Sequence, residues 1–197
     1  MSEIRIRVVP AAEAGWEAVE TVLMTDASTR NCWCQFHVLE NRVQRETTRD
    51  SRRELLREQI VTLDPPRGLV ALAGDEPVGW CGVEPRTRLR HVLASRLVTR
   101  HSRYDPDDPD VWAIYCILVP SPLRRLGIAT TLLSRAIEHA RNRRARAIEG
   151  YPIDTSVRDG RLPPGFSTGT LAMFEREGFH PLAALPSGRT LVYRDAS

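Results

Sequence analysis

The chain reads as one mixed α/β domain, a sheet with helices packed on both faces, and three observations predict it. Val111–Val119 is the most apolar run and fits a strand buried on both sides. From Gly127 onward Ile128, Leu132, Leu133, Ala136, Ile137 and Ala140 recur at helical spacing. Around them the segments follow the order strand, helices, hairpin, long strand, helix, strand, helix, strand, which layers helices over a sheet. The 197 residues, 42% hydrophobic and 27% charged, suit a single domain over 1–197 whose core needs no disulfide or metal staple.

Taken in order, Ile4, Ile6 and Val8 alternate with Arg5 and Arg7 as a half-buried strand that Pro10 ends. Ala11 to Met24 reads as one helix with Trp16, Val19, Val22 and Leu23 on a common face. Ser51-Arg52-Arg53-Glu54 is a capping-box pattern opening a second helix, with Leu55, Leu56, Ile60 and Leu63 behind it and Pro65 and Pro66 closing it. Gly68–Ala73 and Val78–Val83 flank Gly74-Asp75-Glu76-Pro77 as a hairpin. Pro85–Tyr104 is rich in arginine, and Asp105–Asp110 sets four Asp around two Pro as an exposed acidic loop. The helix from Gly127 closes on Arg141, Arg143 and Arg144, which suit its negative end. Ala147–Ile153 reads as a strand and Asp154–Phe166 as a Gly/Pro-rich loop. Leu171–Glu177 is a short helix stopped by Gly178, and Leu191–Tyr193 is a last strand.

A net charge of +3 is too small a basic excess to demand nucleic acid, although all 28 basic residues are arginine. No apolar run approaches the roughly 18 residues of a membrane span. Met1–Pro10, broken by Glu3, Arg5 and Arg7, lacks a signal peptide's apolar core. The expectation is a cytoplasmic protein with no membrane and no nucleic-acid partner. In a reducing compartment Cys32, Cys34, Cys81 and Cys116 read as packing thiols. Cys32, Cys34 and His37 have a C-x-C-x2-H spacing, but no second pair completes a tetrahedral set, so no metal is expected.

The chemistry-bearing stretch is Ile117-Leu118-Val119-Pro120-Ser121-Pro122-Leu123-Arg124-Arg125-Leu126-Gly127-Ile128-Ala129. A strand runs out, a loop turns, and a helix begins at a glycine. Such a helix start presents free N–H groups and partial positive charge to a phosphate. The small residues Gly127 and Ala129 let it approach the backbone, and Arg124 and Arg125 add charge. Neither G-x-x-x-x-G-K-[ST] nor G-x-G-x-x-G is present.

The segment resembles the GNAT superfamily of acyl-CoA-dependent N-acyltransferases. Arg124, Gly127 and Ala129 match the signature Q/R-x-x-G-x-G/A that follows the family's central strand, and the Gly68–Val83 hairpin and the Glu175-Arg176-Glu177-Gly178-Phe179 ending agree with it. The resemblance covers about Leu69 to Tyr193 and implies a mixed, mostly antiparallel sheet with a V-shaped split. It implies acetyl-CoA as cofactor, lying between the strand that ends at Val119 and the strand Ala147–Ile153. The pyrophosphate would lie on Arg124, Arg125, Leu126, Gly127, Ile128 and Ala129. The pantetheine would pair with Ile117, Leu118 and Val119, and an N–H near Leu118 would polarise the thioester carbonyl. The resemblance further implies that the acceptor is a primary amine, of a small molecule or a peptide, attacking directly in a ternary complex, and that the protein is a monomer or a homodimer.

The sequence departs from the family at two places. The usual carboxylate position on the central strand falls near Ala113, and the usual Tyr before the Gly-Phe pair falls on Phe174. Tyr115, on the face of Ala113 by alternation, and Glu149, a charge inside a strand, are the substitute catalytic candidates. Cys116 is expected to point away from Tyr115 and to pack. Trp33, Phe36 and Trp80 could wall an acceptor pocket, Asp154 could bind the amine, and the acidic loop could attract it. No histidine receives a role, and His139 is expected to be solvated. The missing acid–base residues leave a catalytically weak acyl-CoA-binding sensor or assembly domain as the alternative.

Overall fold

The computed structural model describes residues 5–158 and 167–196. Seven strands form one sheet: β1 (Ile6–Pro10), β2 (Leu69–Ala73), β3 (Glu76–Pro85), β4 (Val111–Leu118), β5 (Ala147–Gly150), β6 (His180–Leu185) and β7 (Arg189–Asp195). Their order is β1-β2-β3-β4-β5-β7-β6, and every pairing is antiparallel except β4 with β5. The helices are α1 (Ala11–Ala14), α2 (Trp16–Leu23), α3 (Ala27–Cys32), α4 (Asn41–Glu46), α5 (Arg49–Thr62), α6 (Arg90–Leu93), α7 (Arg96–His101), α8 (Ile128–Asn142) and α9 (Leu171–Arg176).

All eight residues of β4 are buried, as its apolar run predicts. On one face, Val19, Val22, Leu23, Leu56 and Ile60 of α2 and α5 meet Trp80, Ala113 and Tyr115. On the other, Leu132, Leu133, Ala136 and Ile137 of α8 and Phe174 of α9 meet Val83, Ile114 and Ile148. The predicted mixed sheet with helices on both faces is therefore present.

Several elements differ from expectation for local reasons. The first helix breaks at Gly15, whose φ of +85° no helix accommodates. The helix containing Leu56 starts earlier than the Ser51 pattern implies. Thr48 is its N-cap, and Ser51, three residues on, returns the bond in a reciprocal box. β5 ends at Gly150 rather than Ile153, because the chain turns out through Tyr151 and Pro152. The arginine-rich stretch contains α6 and α7. The hydrophobic alternation of β6 is too weak to announce it, since its burial pattern has no fully buried position. Ile4 and residues 159–166 of the predicted loop lie outside the described residues. Among the described residues no helix is long and apolar enough to cross a membrane.

The central strand carries a bulge. Gly82 of β3 pairs with Cys116, but the next residue, Val83, pairs with Ile114, so Tyr115 is the extra residue. The bulge shifts the alternation of β4. Cys116 therefore faces the same core as Tyr115 and Leu118, whereas Ile114 and Ile117 face the other. The expectation that Cys116 points away from Tyr115 is corrected by this one-residue slip. Gly82 makes the bulge possible: a Cβ there would lie 2.7 Å from Cζ of Tyr115, so the ring needs the glycine's empty face.

Candidate active site

β4 and β5 pair only from Val111–Ile114 to Ala147–Gly150, and β4 then runs on to Leu118 paired with β3 alone. The sheet opens there. Successive N–H groups of a strand point to opposite edges. The N–H of Ile117 faces the opening, where it donates to the carbonyl of Ser167 at 2.6 Å, and that of Leu118 faces β3. The split-facing donor is thus Ile117, one residue from the position expected. Phe174, where the resemblance expects Tyr, is fully buried. Its ring fills the spaces left by Gly150 and Gly169, where a Cβ would lie 2.4 Å and 2.8 Å from it.

Beyond β4, a 3-10 turn over Ser121–Leu123 leads to Arg124, Arg125 and Leu126, all exposed. Gly127 is the N-cap of α8 with φ of +79°, and no side chain caps the helix. The N–H groups of Ile128, Ala129 and Thr130 thus have no partner within the helix. A Cβ at Gly127 would meet no atom within 4 Å. Arg124 Nε donates back to the Val119 carbonyl at 3.2 Å and braces the loop. This anion-ready helix end therefore stands directly after the open end of β4.

Ala113 sits in register between Glu84 on β3 and Glu149 on β5. Both carboxylates are buried and both are matched. Arg67 Nε lies 3.0 Å from Glu84 and donates to Tyr115 Oη at 2.8 Å, and Tyr115 donates to Glu84 at 2.7 Å. Arg86 lies 2.8 Å from Glu149, which also accepts from Ser102 at 2.5 Å and from Tyr151 at 3.3 Å. Burial holds the Tyr115 phenol well above its ordinary range, so it stays protonated near neutral pH. Tyr115 and Glu149, the catalytic candidates, are thus bound into structural networks with no surface exposed. Glu84 was missed because the apolar run was ended at Val83, although an acid next to such a run carries the same signal as Glu149.

Trp33 and Trp80 are also fully buried, so neither walls an open pocket. Trp80 Nε1 donates to Cys34 Sγ at 3.1 Å, and Cys34 Sγ lies 3.3 Å from Cys116 Sγ. Asp154 is spent locally: its Oδ1 accepts from the N–H and hydroxyl of Ser156 at 2.9 and 2.6 Å. The acidic loop precedes Val111, at the opposite end of β4 from Ile117, and its Asp108 pairs with Arg146 at 3.1 Å. His139 is half-buried rather than fully solvated: it packs edge-on against Trp112, and burial lowers its pKa to about 4.

All four cysteines are free, and Cys34, Cys81 and Cys116 are buried. Burial pushes Cys32 up to about 12 and raises Cys81, while Cys34 is raised by its bond with Cys116 and by burial. A thiol reagent at neutral pH is therefore expected to leave Cys34 and Cys81 unmodified in the folded protein and to reach all four in denaturant. Rapid labelling of Cys34 in the native state would contradict this burial.

A cavity of about 250 Å³ lies on the α2–α5 side of the sheet, lined by Phe36, His37, His91, Tyr151, Leu185 and Arg189 among others. Tyr151 directly follows the end of β5, and His37 packs edge-on to Tyr115 at 5.5 Å. The cavity thus adjoins the opening from the face opposite Ile117's core. His37 is lowered to about 3 by burial and by Arg189, His91 and Arg67; His91 is lowered by burial and Arg189. Both imidazoles are neutral at physiological pH. A larger groove of about 930 Å³ lies between β1 and α8, lined by Ile6, Val8, Gly74 and His139, away from the start of α8.

A mixed sheet opened beside an uncapped helix start, with a cavity on one face near the opening, is the architecture of this chain. The chain belongs to the acetyltransferase (GNAT) family, whose model matches residues 31–154. In fold it is similar to the PaiA N-acetyltransferase of Thermoplasma acidophilum, solved in complex with coenzyme A (12% identity, TM-score 0.57, 97% of this chain and 99% of that one). It is also similar to a GCN5-related N-acetyltransferase of Kribbella flavida (17%, TM-score 0.58, 96% and 97%). A third likeness is to the ribosomal-protein-alanine N-acetyltransferase of Brucella melitensis (16%, TM-score 0.55, 97% and 99%). No curated protein matches the chain by sequence.

Proposed function

We propose that the protein transfers an acetyl group from acetyl-CoA to a primary amine by direct attack in a ternary complex. The observation that carries this is the exposed, uncapped start of α8 standing directly after the end of β4 that β5 no longer pairs, in a chain of this family. The residues fit the cofactor: the first-turn N–H groups of α8, with Arg124 and Arg125, would hold its phosphates, and the edge of β4 at Ile117 would align its amide chain. Bound there, acetyl-CoA would supply a carbonyl carbon activated as a thioester. The Ile117 N–H is the donor placed to polarise that carbonyl once the Ser167 carbonyl leaves it.

The amine enters through the cavity at His37, His91 and Tyr151. Each neutral imidazole offers one lone pair to an amine N–H. Among the described residues no carboxylate lines the cavity, so water takes the amine proton as the new C–N bond forms and returns a proton to the CoA thiolate released when the C–S bond breaks. Cys116 is buried against Cys34, which supports direct transfer over a cysteine-bound acyl group.

Calorimetric titration with acetyl-CoA and CoA, then thiol release with an amine panel, tests the proposal. Binding with turnover is expected. Binding without turnover on any amine favours a sensor domain, the reading that Ala113 and Phe174 support by offering no ionisable group. Absence of binding overturns both.

A further inference from the structure

Resting on the transferase reading above, we infer that the side cavity selects an amine that also carries a carboxylate, an amino-acid-like acceptor, and that Arg189 is the specificity residue that receives the carboxylate. Two arginines are fully buried and Arg189 is half-buried, and the fold treats them differently. Arg67 has Glu84, and Arg86 has Glu149. Arg67 also donates to Tyr115 and to the Cys34 carbonyl, and Arg86 donates to Ser102 and to the Asp105 carbonyl. Arg189, at the start of β7 on the cavity wall, has no ion-pair or hydrogen-bond partner for its guanidinium among the described residues; its buried Nε is unmatched like that of Arg86, whose other two nitrogens are paired. Buried donors are seldom left unmatched unless something else supplies the acceptor.

The rest of the wall supplies none. Among the described residues no Asp or Glu lines the cavity. His37 and His91 are neutral, and the Nδ1 of His91 is a second buried nitrogen on this wall without a partner. Burial lowers the pKa of Arg189, the mark of a guanidinium dried without a matching anion, though an arginine remains charged. A simple alkylamine would therefore meet an uncompensated positive charge. An amine with a carboxylate would satisfy the guanidinium through charge-assisted hydrogen bonds. Phe36, Val92, Val98 and Leu185 offer apolar surface to the carbon chain between the two groups. A cavity of about 250 Å³ holds a small molecule rather than a folded protein surface.

The test compares glycine, alanine, glutamate and 4-aminobutanoate, each with its carboxamide. It reads acetyl transfer by thiol release and acceptor binding by calorimetry on the acetyl-CoA-saturated protein. At least one carboxylate is expected to exceed its carboxamide by ten-fold or more in kcat/KM. Arg189→Met should bring that ratio close to one, chiefly through KM, while acetyl-CoA binding stays unchanged. Arg189→Lys should restore part of the preference, which a merely structural role would not do. Carboxamides or simple alkylamines used as well as the acids would overturn the inference. So would an Arg189→Met effect equal for both sets, or no saturable binding of any of the four acids to a protein that binds acetyl-CoA. A protein that does not bind acetyl-CoA fails one step earlier, and that failure belongs to the transferase proposal.

Discussion

Gly127→Glu is expected to weaken acetyl-CoA binding by at least about 100-fold, roughly 2.8 kcal/mol at 1.4 kcal/mol per decade. The protein itself has room for the side chain, since a Cβ at Gly127 meets nothing within 4 Å. The loss comes instead from where that side chain must go. Its carboxylate would stand at the positive end of α8 and take the N–H groups that a phosphate needs. A second cost is conformational, because φ is +79° and an L-residue there is strained by about 1–2 kcal/mol. Gly127→Asn separates the two, since Asn tolerates that conformation and brings no charge. Asn should retain most of the binding, and both variants should melt cooperatively. If Gly127→Glu binds acetyl-CoA like the wild type in calorimetric titration, the phosphate site is misplaced.

The second large effect concerns stability. Arg86→Met is expected to cost about 3–5 kcal/mol of unfolding free energy, because it leaves Glu149 buried with a charge and no cation. Ser102 and Tyr151 still donate to Glu149, so the carboxylate keeps hydrogen bonds but loses its counter-charge. Adding Glu149→Leu should recover most of the loss, as replacing both members of a buried pair by apolar groups often does. Urea unfolding of the two variants measures this directly. A single-variant cost of about 1 kcal/mol or less, as for a surface pair, would mean that the pair is not buried as described.

How much of this was legible in sequence depends on the range of the interaction. β4 and α8 were readable because a fully buried strand and a one-faced helix each carry their own period, and Gly127 was readable because a strand–loop–helix turn is local. Tyr115 and Glu149 were singled out correctly as unusual, a phenol and a charge in buried strands, but their partners Arg67 and Arg86 lie far along the chain. Sequence alone could not distinguish a matched charge from a working one. The bulge at Tyr115 was hidden for a related reason. It depends on Gly82 across the sheet, and alternation counted along β4 alone misassigns every side chain beyond it. The cavity was least legible, since His37, His91, Tyr151 and Arg189 come from four separate segments that only the packed sheet brings together.

The bond between Ser167 and Ile117 bears on what the β4 edge can contribute to affinity. Because that N–H already has an acceptor at 2.6 Å, a ligand carbonyl that takes it swaps one hydrogen bond for another of the same kind. The net gain of such an exchange is close to nothing, where a vacant buried donor would reward its partner by about 1–3 kcal/mol. On the proposed reading the strand edge would act as a ruler more than as glue: it would set the height of a bound chain in the opening and leave the strength of holding to the charged end at α8.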